Sequence, residues 1–185
     1  MSPKVFSAFE EIINSFFIDK IPNSVIEIGA YHWSLLALDK FKDSRKVALN
    51  AFFDKKSEDA LKKHELVVGN ANDMQFNDNE FDCVMSCSVL EHDKYFWKSL
   101  IEMKRILKPE GLMVIGVPIY MRLKTDYKNT TLTYARHGYA YNADFYRFSE
   151  QAVHELFFEN CNIFNSAIVR KYPNPYLVVG GVKNG

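Results

Sequence analysis

Two periods alternate along the apolar positions of this chain, and the alternation lays out its elements. Val5, Phe6, Phe9, Ile12, Ile13, Phe16 and Phe17 recur at helical spacing over residues 4–18. This predicts an amphipathic helix that Pro22 and Asn23 end and that caps a sheet. The β-branched run of Val25, Ile26 and Ile28 reads as a buried strand stopping at Gly29, where a backbone without Cβ can bend and admit a ligand. Residues 34–41 read as a helix with Leu35, Leu36, Leu38 and Phe41 turned inward, which closes a first strand-loop-helix unit.

The same alternation continues. Short apolar runs at 46–50, 65–69 and 81–86 are strands, separated by a polar helix over 54–64 and a loop over 70–76. Residues 92–107 form a helix with Phe96, Leu100, Ile101, Met103 and Ile106 on one side, closed by Pro109 and Gly111. A fully apolar strand follows at 112–117. Ser149 has the chemistry of an N-cap and opens a last helix to Phe158, before late strands at 163–169 and 176–182. Strands that alternate with helices pair in parallel, with helices on both faces of the sheet. The last two strands have no helix between them and suit an antiparallel hairpin. The expected fold is an α/β three-layer sandwich around a seven-stranded, mostly parallel sheet. Ligands bind such sheets beyond the carboxyl ends of the central strands, which gathers Gly29, Asn50, Asn70, Ser86 and Pro118 at one edge.

Composition narrows the function. At 185 residues the chain is expected to be a single domain, and Lys plus Arg equals Asp plus Glu at 23 each, which disfavours bulk binding to nucleic acid or an acidic membrane. Lys4, Glu10 and Glu11 interrupt the N-terminal region and no run approaches about 18 apolar residues, so a cytoplasmic protein is expected. Cys83, Cys87 and Cys161 are too few for a disulfide framework. Cys83 and Cys87 lie on one side of a strand, where small buried residues are a better reading than metal ligands, and no metal is expected.

Several stretches carry a resemblance. Gly69-Asn70-Ala71-Asn72-Asp73-Met74-Gln75-Phe76 is similar to GDAxxLPF. Phe81-Asp82-Cys83-Val84, then Leu90-Glu91-His92, then Glu102 to Gly111 are similar to FDxV, LEH and ExxRVLKPGG, in that order. Together they resemble the class I S-adenosylmethionine-dependent methyltransferases of type 11, over roughly residues 24–158. The resemblance implies a Rossmann-like fold and an S-adenosylmethionine cofactor. It puts the methionine part near Glu27, Gly29, Ala30 and Tyr31, the ribose near Asn50, the adenine near Asn70, Ala71 and Asn72, and the reacting sulfur over Ser86 and Cys87. Two departures stand out. Tyr31 and Trp33 occupy the places of the family's second and third glycines, and Asn50 replaces the ribose-binding acid. The loop Glu27 to Ser34 resembles the EIGSYxVNGS loop of a subgroup common in glycan and cell-surface gene clusters, which implies a rebuilt, working loop. The asparagines at 70 and 72 also suit a simple Asx turn.

Residues 118–148 have little apolar periodicity and hold six of the ten tyrosines, with five cations against two acids, a local charge of +3. Tyr120, Tyr139, Tyr146 and Arg147 suit a lid over a small acceptor, sugar-containing or anionic, because phenols stack and guanidinium groups hydrogen-bond. The same residue types suit an interface between copies of the chain. His137-Gly138 and Asp144-Phe145-Tyr146-Arg147 resemble the family's HG and DYxRxT elements. His137, His92 and Asp144 are the candidates for a base in methyl transfer. The expected activity is S-adenosylmethionine-dependent methylation of a small molecule; the alternative is a methyltransferase-like pseudoenzyme acting as a binding or regulatory subunit. An NAD(P)-dependent oxidoreductase fits less well, since GxGxxG and its ribose acid are absent.

Overall fold

The computed structural model describes residues 1–120, 144–170 and 175–185. The elements run α1 (Pro3–Phe16), β1 (Ser24–Ile28), β2 (Arg45–Asn50), α2 (Lys55–Leu61), β3 (Glu65–Val68), β4 (Phe81–Cys87), α3 (Phe96–Ile106), β5 (Leu107–Pro118), α4 (Glu150–Ala152), β6 (Cys161–Val169) and β7 (Tyr176–Lys183). Seven strands make one sheet in the order β3-β2-β1-β4-β5-β7-β6. Strands β1 to β5 pair in parallel, and β7 runs antiparallel to both β5 and β6. This is the class I methyltransferase form of the Rossmann-like fold expected from the sequence.

The order of strands decides where a ligand goes. From β1 the chain steps outward through β2 and β3, then crosses back to place β4 on the other side of β1. Connections on either side of β1 and β4 diverge to opposite faces, which opens a crevice at the carboxyl ends of these two strands. All five residues of β1 are buried, so this crevice rests on the most enclosed part of the sheet.

Two cores hold the layers. On one face Ile26, Val84, Met113 and Ile115 pack with Leu100, Met103 and Ile106 of α3 and with Phe157. On the other, Val25, Cys83, Met85 and Val114 pack with α1 and with Leu35, Leu36 and Phe41. Ser2 caps α1 through the Val5 N–H, and Pro3 sits in its first turn, so the helix starts where its chemistry allows. α1 then lies close across β5 and β7. A Cβ at Gly116 would stand 2.6 Å from the Phe9 ring and one at Gly180 would stand 2.5 Å from Ile12. Cys83 and Cys87 both belong to this second core, the first buried and the second packed against it, as the strand spacing implies.

The expected helix over residues 34–41 does not form. In its place stand two 3₁₀ turns, Leu35–Ala37 and Asp39–Phe41, joined by Leu38 in an extended conformation at ψ 135°. On an α-helix Leu36 and Leu38 would point about 160° apart, yet both are buried here; breaking the helix lets both reach the core. The helix expected to start at His92 begins at Phe96, after a 3₁₀ turn at Leu90–His92, and β5 starts at Leu107 rather than 112. The 54–64 helix is confined to Lys55–Leu61, capped by Asp54, and the last helix leaves α4 for a π turn at Val153–Phe157.

Candidate active site

At the tip of β1, Gly29 has φ +78°, a conformation that costs an L-residue about 1–2 kcal/mol. A Cβ here would also stand 2.1 Å from Val89 Cγ2, so the position requires glycine on two counts. Two residues before it, in β1, Glu27 is only 3% exposed. Its Oε2 accepts from Ser34 Oγ and, at 2.8 Å, from the Leu35 N–H. Ser34 in turn caps the Leu36 N–H at 3.1 Å. The carboxylate thus holds the far end of its own loop, and the loop keeps its shape without the two missing glycines. Burial lifts the Glu27 carboxyl to about 7, against the pull of the Ser34 and Leu35 donors.

The aromatic residues at the glycine positions turn outward. Tyr31 is 41% and Trp33 60% exposed, and the Tyr31 hydroxyl donates to Asp54 at 2.7 Å. With Glu27, Gly29, His32, Cys87 and Ser88 they line an open cleft of about 200 Å³. The main chain of the loop is tied to β2, since the Gly29 and Ala30 N–H groups both donate to the Leu49 carbonyl, at 2.8 and 3.2 Å. Asn50 adds a clamp. Its Nδ2 donates to the Ala30 carbonyl at 2.8 Å and its Oδ1 accepts from Ala51 N–H at 2.8 Å. The residue at the ribose position is therefore engaged at both ends with backbone.

After β3, Asn70 Oδ1 accepts from Asn72 N–H at 2.9 Å, the Asx turn that its sequence suits. The Asn72 side chain is committed to α3 and the turn before it, donating to Ser99 at 2.8 Å and to Asp93 at 2.7 Å. Ala71 lies half-buried against the core beside them.

A second polar group gathers at the tip of β4. Ser86 is buried with its Oγ unpartnered, and burial pushes the Cys87 thiol up to about 12, so it is no nucleophile at neutral pH. Ser88, at φ +59°, shares a hydrogen bond with the Tyr176 hydroxyl of β7. Glu91 is 2% exposed, and its main-chain carbonyl accepts from Phe145 and Tyr146 N–H at 2.8 and 3.2 Å. Arg147 makes a bidentate pair with Asp144, at 2.6 and 2.8 Å. Half-exposed His92 stands between the two acids, with Nε2 3.8 Å from Glu91 and Nδ1 3.8 Å from Asp144. The LEH and DFYR stretches thus meet, which their sequence similarity alone did not say.

The expected substrate residues divide. Tyr146 is held in an aromatic cluster, 5.0 Å from Phe96 and stacked on Phe148, with its hydroxyl on the Lys94 carbonyl. Tyr120 is exposed beside the Phe148 carbonyl, to which its N–H donates. His137 and Tyr139 lie outside the described residues. Sequence reading overlooked Ser34, Val89 and Tyr176 as parts of the site; only the short distance from Glu27 to Ser34 hinted at the first. Among the described residues no group of His, Cys, Asp and Glu could hold a metal ion, and no helix is long and apolar enough to cross a membrane.

Residues 24–115 match the family model described as a methyltransferase domain. Among solved structures, the chain is similar to the 1,6-didemethyltoxoflavin-N1-methyltransferase of Burkholderia thailandensis, with bound 1,6-didemethyltoxoflavin and S-adenosylhomocysteine. The TM-score is 0.76 at 17% identity, over 97% of this chain and 78% of that one. It is similar also to the N-methyltransferase NodS of Bradyrhizobium japonicum in complex with S-adenosylhomocysteine, with a TM-score of 0.70 at 10% identity, over 100% and 89%. It is 31% identical over 75 residues, 40% of this chain, to an uncharacterised 37.1 kDa protein in a transposon of Streptomyces fradiae. The matches span less than a quarter of the length of the curated relatives.

Proposed function

From the premise that residues 24–115 belong to the methyltransferase-domain family, we propose that this protein is an S-adenosylmethionine-dependent methyltransferase of a small, sugar-containing or anionic acceptor. The observation that carries the proposal is the buried Glu27 beside the glycine turn, at the crevice between β1 and β4. Glu27 lines the cleft with its carboxylate held by Ser34 and Leu35, positioned to accept from an ammonium group entering there. Positive φ at Gly29 gives close approach to the backbone, and Ser86 and Cys87 floor the position beyond it. Bound there, S-adenosylmethionine supplies an electrophilic methyl group on a sulfonium. The two neighbours solved with S-adenosylhomocysteine support this choice of cofactor.

The residues of the β4 tip act on the acceptor. Half-exposed His92 and Asp144, 3.8 Å apart, are the base candidates that stand among described residues. His137 is the third candidate. A second reading, a methyltransferase-like binding subunit without turnover, draws on Asn50, whose amide serves the backbone where the family has a ribose-binding acid.

S-adenosylhomocysteine separates the two. Ligand that binds only the native state raises stability by about 2.7 kcal/mol at a hundredfold excess over Kd, so thermal unfolding of the full chain shifts upward by several degrees. An unchanged midpoint at millimolar ligand overturns the enzyme reading and leaves the binding subunit.

A further inference from the structure

Tyr31 and Trp33 stand where the family has glycines, and turning outward does not remove them from the cleft: both line it, with His32 between them. A glycine offers a ligand only its backbone, whereas a ring offers a face of negative potential. The three rings form one lip. That of Tyr31 lies 4.2 Å from that of His32, which in turn meets Trp33 edge to face at 6.2 Å. Tyr31 is fixed through its hydroxyl on Asp54, while Trp33 keeps most of its surface open. Charges at the lip are few. Glu27 and Met1 line the cleft with the rings, and among the described residues no Lys or Arg does. Burial and the nearby Lys56 hold His32 below the ordinary imidazole range, against the pull of Asp54, so at neutral pH it adds a ring and not a cation. The Glu27 carboxyl, lifted to about 7 by burial, is only part ionised there, and the Met1 ammonium is close enough to act on it. The potential of the ring faces, by contrast, does not titrate.

We propose that Trp33, with Tyr31 beside it, is a specificity-determining residue that reads the positive charge of the cofactor's sulfonium, so that the cleft holds S-adenosylmethionine in preference to the uncharged thioether left after transfer. The inference rests on the methyltransferase reading. There Glu27 takes the ammonium, and only a short saturated chain joins that ammonium to the sulfonium, which confines the sulfonium to the same cleft of about 200 Å³ that Trp33 lines. A cation over an indole face is held most firmly where water is excluded. The weaker hold on the thioether favours its release once the methyl group has left.

Isothermal titration calorimetry on the full chain tests this with ligands that share the ammonium and the carboxylate: S-adenosylmethionine, sinefungin, which carries an amine cation in place of the sulfonium, and S-adenosylhomocysteine, which carries no charge there. Both cationic ligands are expected to bind the parent at least about fivefold more tightly than S-adenosylhomocysteine. In Trp33→Leu the gap is expected to close to within about twofold through loss of affinity for the cations, and Trp33→Phe, which keeps a ring, is expected to retain part of it. Equal or tighter binding of S-adenosylhomocysteine by the parent overturns the inference, as does a gap unchanged in Trp33→Leu. An equal loss of affinity for all of these ligands in Trp33→Leu also overturns it and makes the indole a neutral wall. Failure of every one of them to bind the parent overturns the methyltransferase reading itself, and the inference with it.

Discussion

The two sides of the crevice handle their polar atoms in opposite ways. On the β1 and β2 side the side chains close on their own backbone: Glu27 on Ser34 and Leu35, Asn50 on Ala30 and Ala51, Asn70 on Asn72. On the β4 side Ser86 Oγ, Glu91 Oε2 and Arg147 Nε are buried and unpaired. The first side is a cradle set before any ligand arrives, which reduces the ordering cost of binding. The second keeps its capacity for a partner. A family loop that has lost two glycines can therefore keep its geometry, because side-chain hydrogen bonds replace backbone freedom.

The largest effect that would break this contrast lies at Gly29. Left-handed strain and the contact with Val89 together are expected to cost about 3 kcal/mol in Gly29→Ala, read by urea unfolding. Adding Val89→Ala restores the packing share and not the conformational share. A Gly29→Ala protein as stable as the parent would mean that the turn is not held as described.

Next comes pH. Glu27 and Glu91 are both raised from 4.5 to about 7 by burial. A raised carboxyl favours the folded state below its unfolded value and loses that contribution as pH rises through the folded one. Their share of stability is therefore full below about pH 4.5, falls towards pH 7 and is flat above it, with an upper limit near 3 kcal/mol for each. The difference in unfolding free energy between the parent and a Glu27→Gln, Glu91→Gln double variant isolates the two groups. It is expected to move against the parent across that window, and a difference constant with pH would contradict the assignment.

A smaller effect tests Asn50. Asn50→Asp brings back the family's acid but removes the donor to the Ala30 carbonyl, at an expected cost of about 1 kcal/mol. An unchanged or increased stability would show that the clamp is dispensable. The smallest concerns Tyr31→Phe, which removes only the exposed hydrogen bond to Asp54 and is expected to leave the urea midpoint unchanged; a clear loss would mean that the Tyr31 hydroxyl, and not Glu27 alone, holds the loop.

Much of this was legible in the sequence, where local chemistry and burial agree. β1 and the core of β5 are apolar runs without competing periodicity, and Ser149 caps the last helix as its type predicts. The seven-stranded, mostly parallel sheet followed from strands alternating with helices, and its strand order came with the structure. Residues 34–41 misled because the run Leu35, Leu36, Leu38 and Phe41 counts as helical only while one face has to be apolar, whereas here Leu36 and Leu38, which a helix would turn to opposite sides, are both buried. The Asx turn at Asn70 was one of two open readings, and its hydrogen bond to Asn72 N–H favours the turn. The cluster of Glu91, His92, Asp144 and Arg147 could not be read, because it joins segments more than 50 residues apart and sequence spacing is silent on such meetings. Tyr31 and Trp33 posed a question that sequence could not answer, since the same residues fill a site or leave it according to how the Glu27 carboxylate folds the loop.

The central claim is that this glycine-poor loop is a working cofactor cradle held by Glu27. Isothermal titration calorimetry with S-adenosylmethionine, on the parent and on Glu27→Gln, tests it most directly. The account expects one molecule bound per chain in the parent and affinity at least about tenfold weaker in Glu27→Gln, in line with the loss of a charge-assisted hydrogen bond. No heat in the parent at millimolar ligand, or equal affinity in the two proteins, would contradict it.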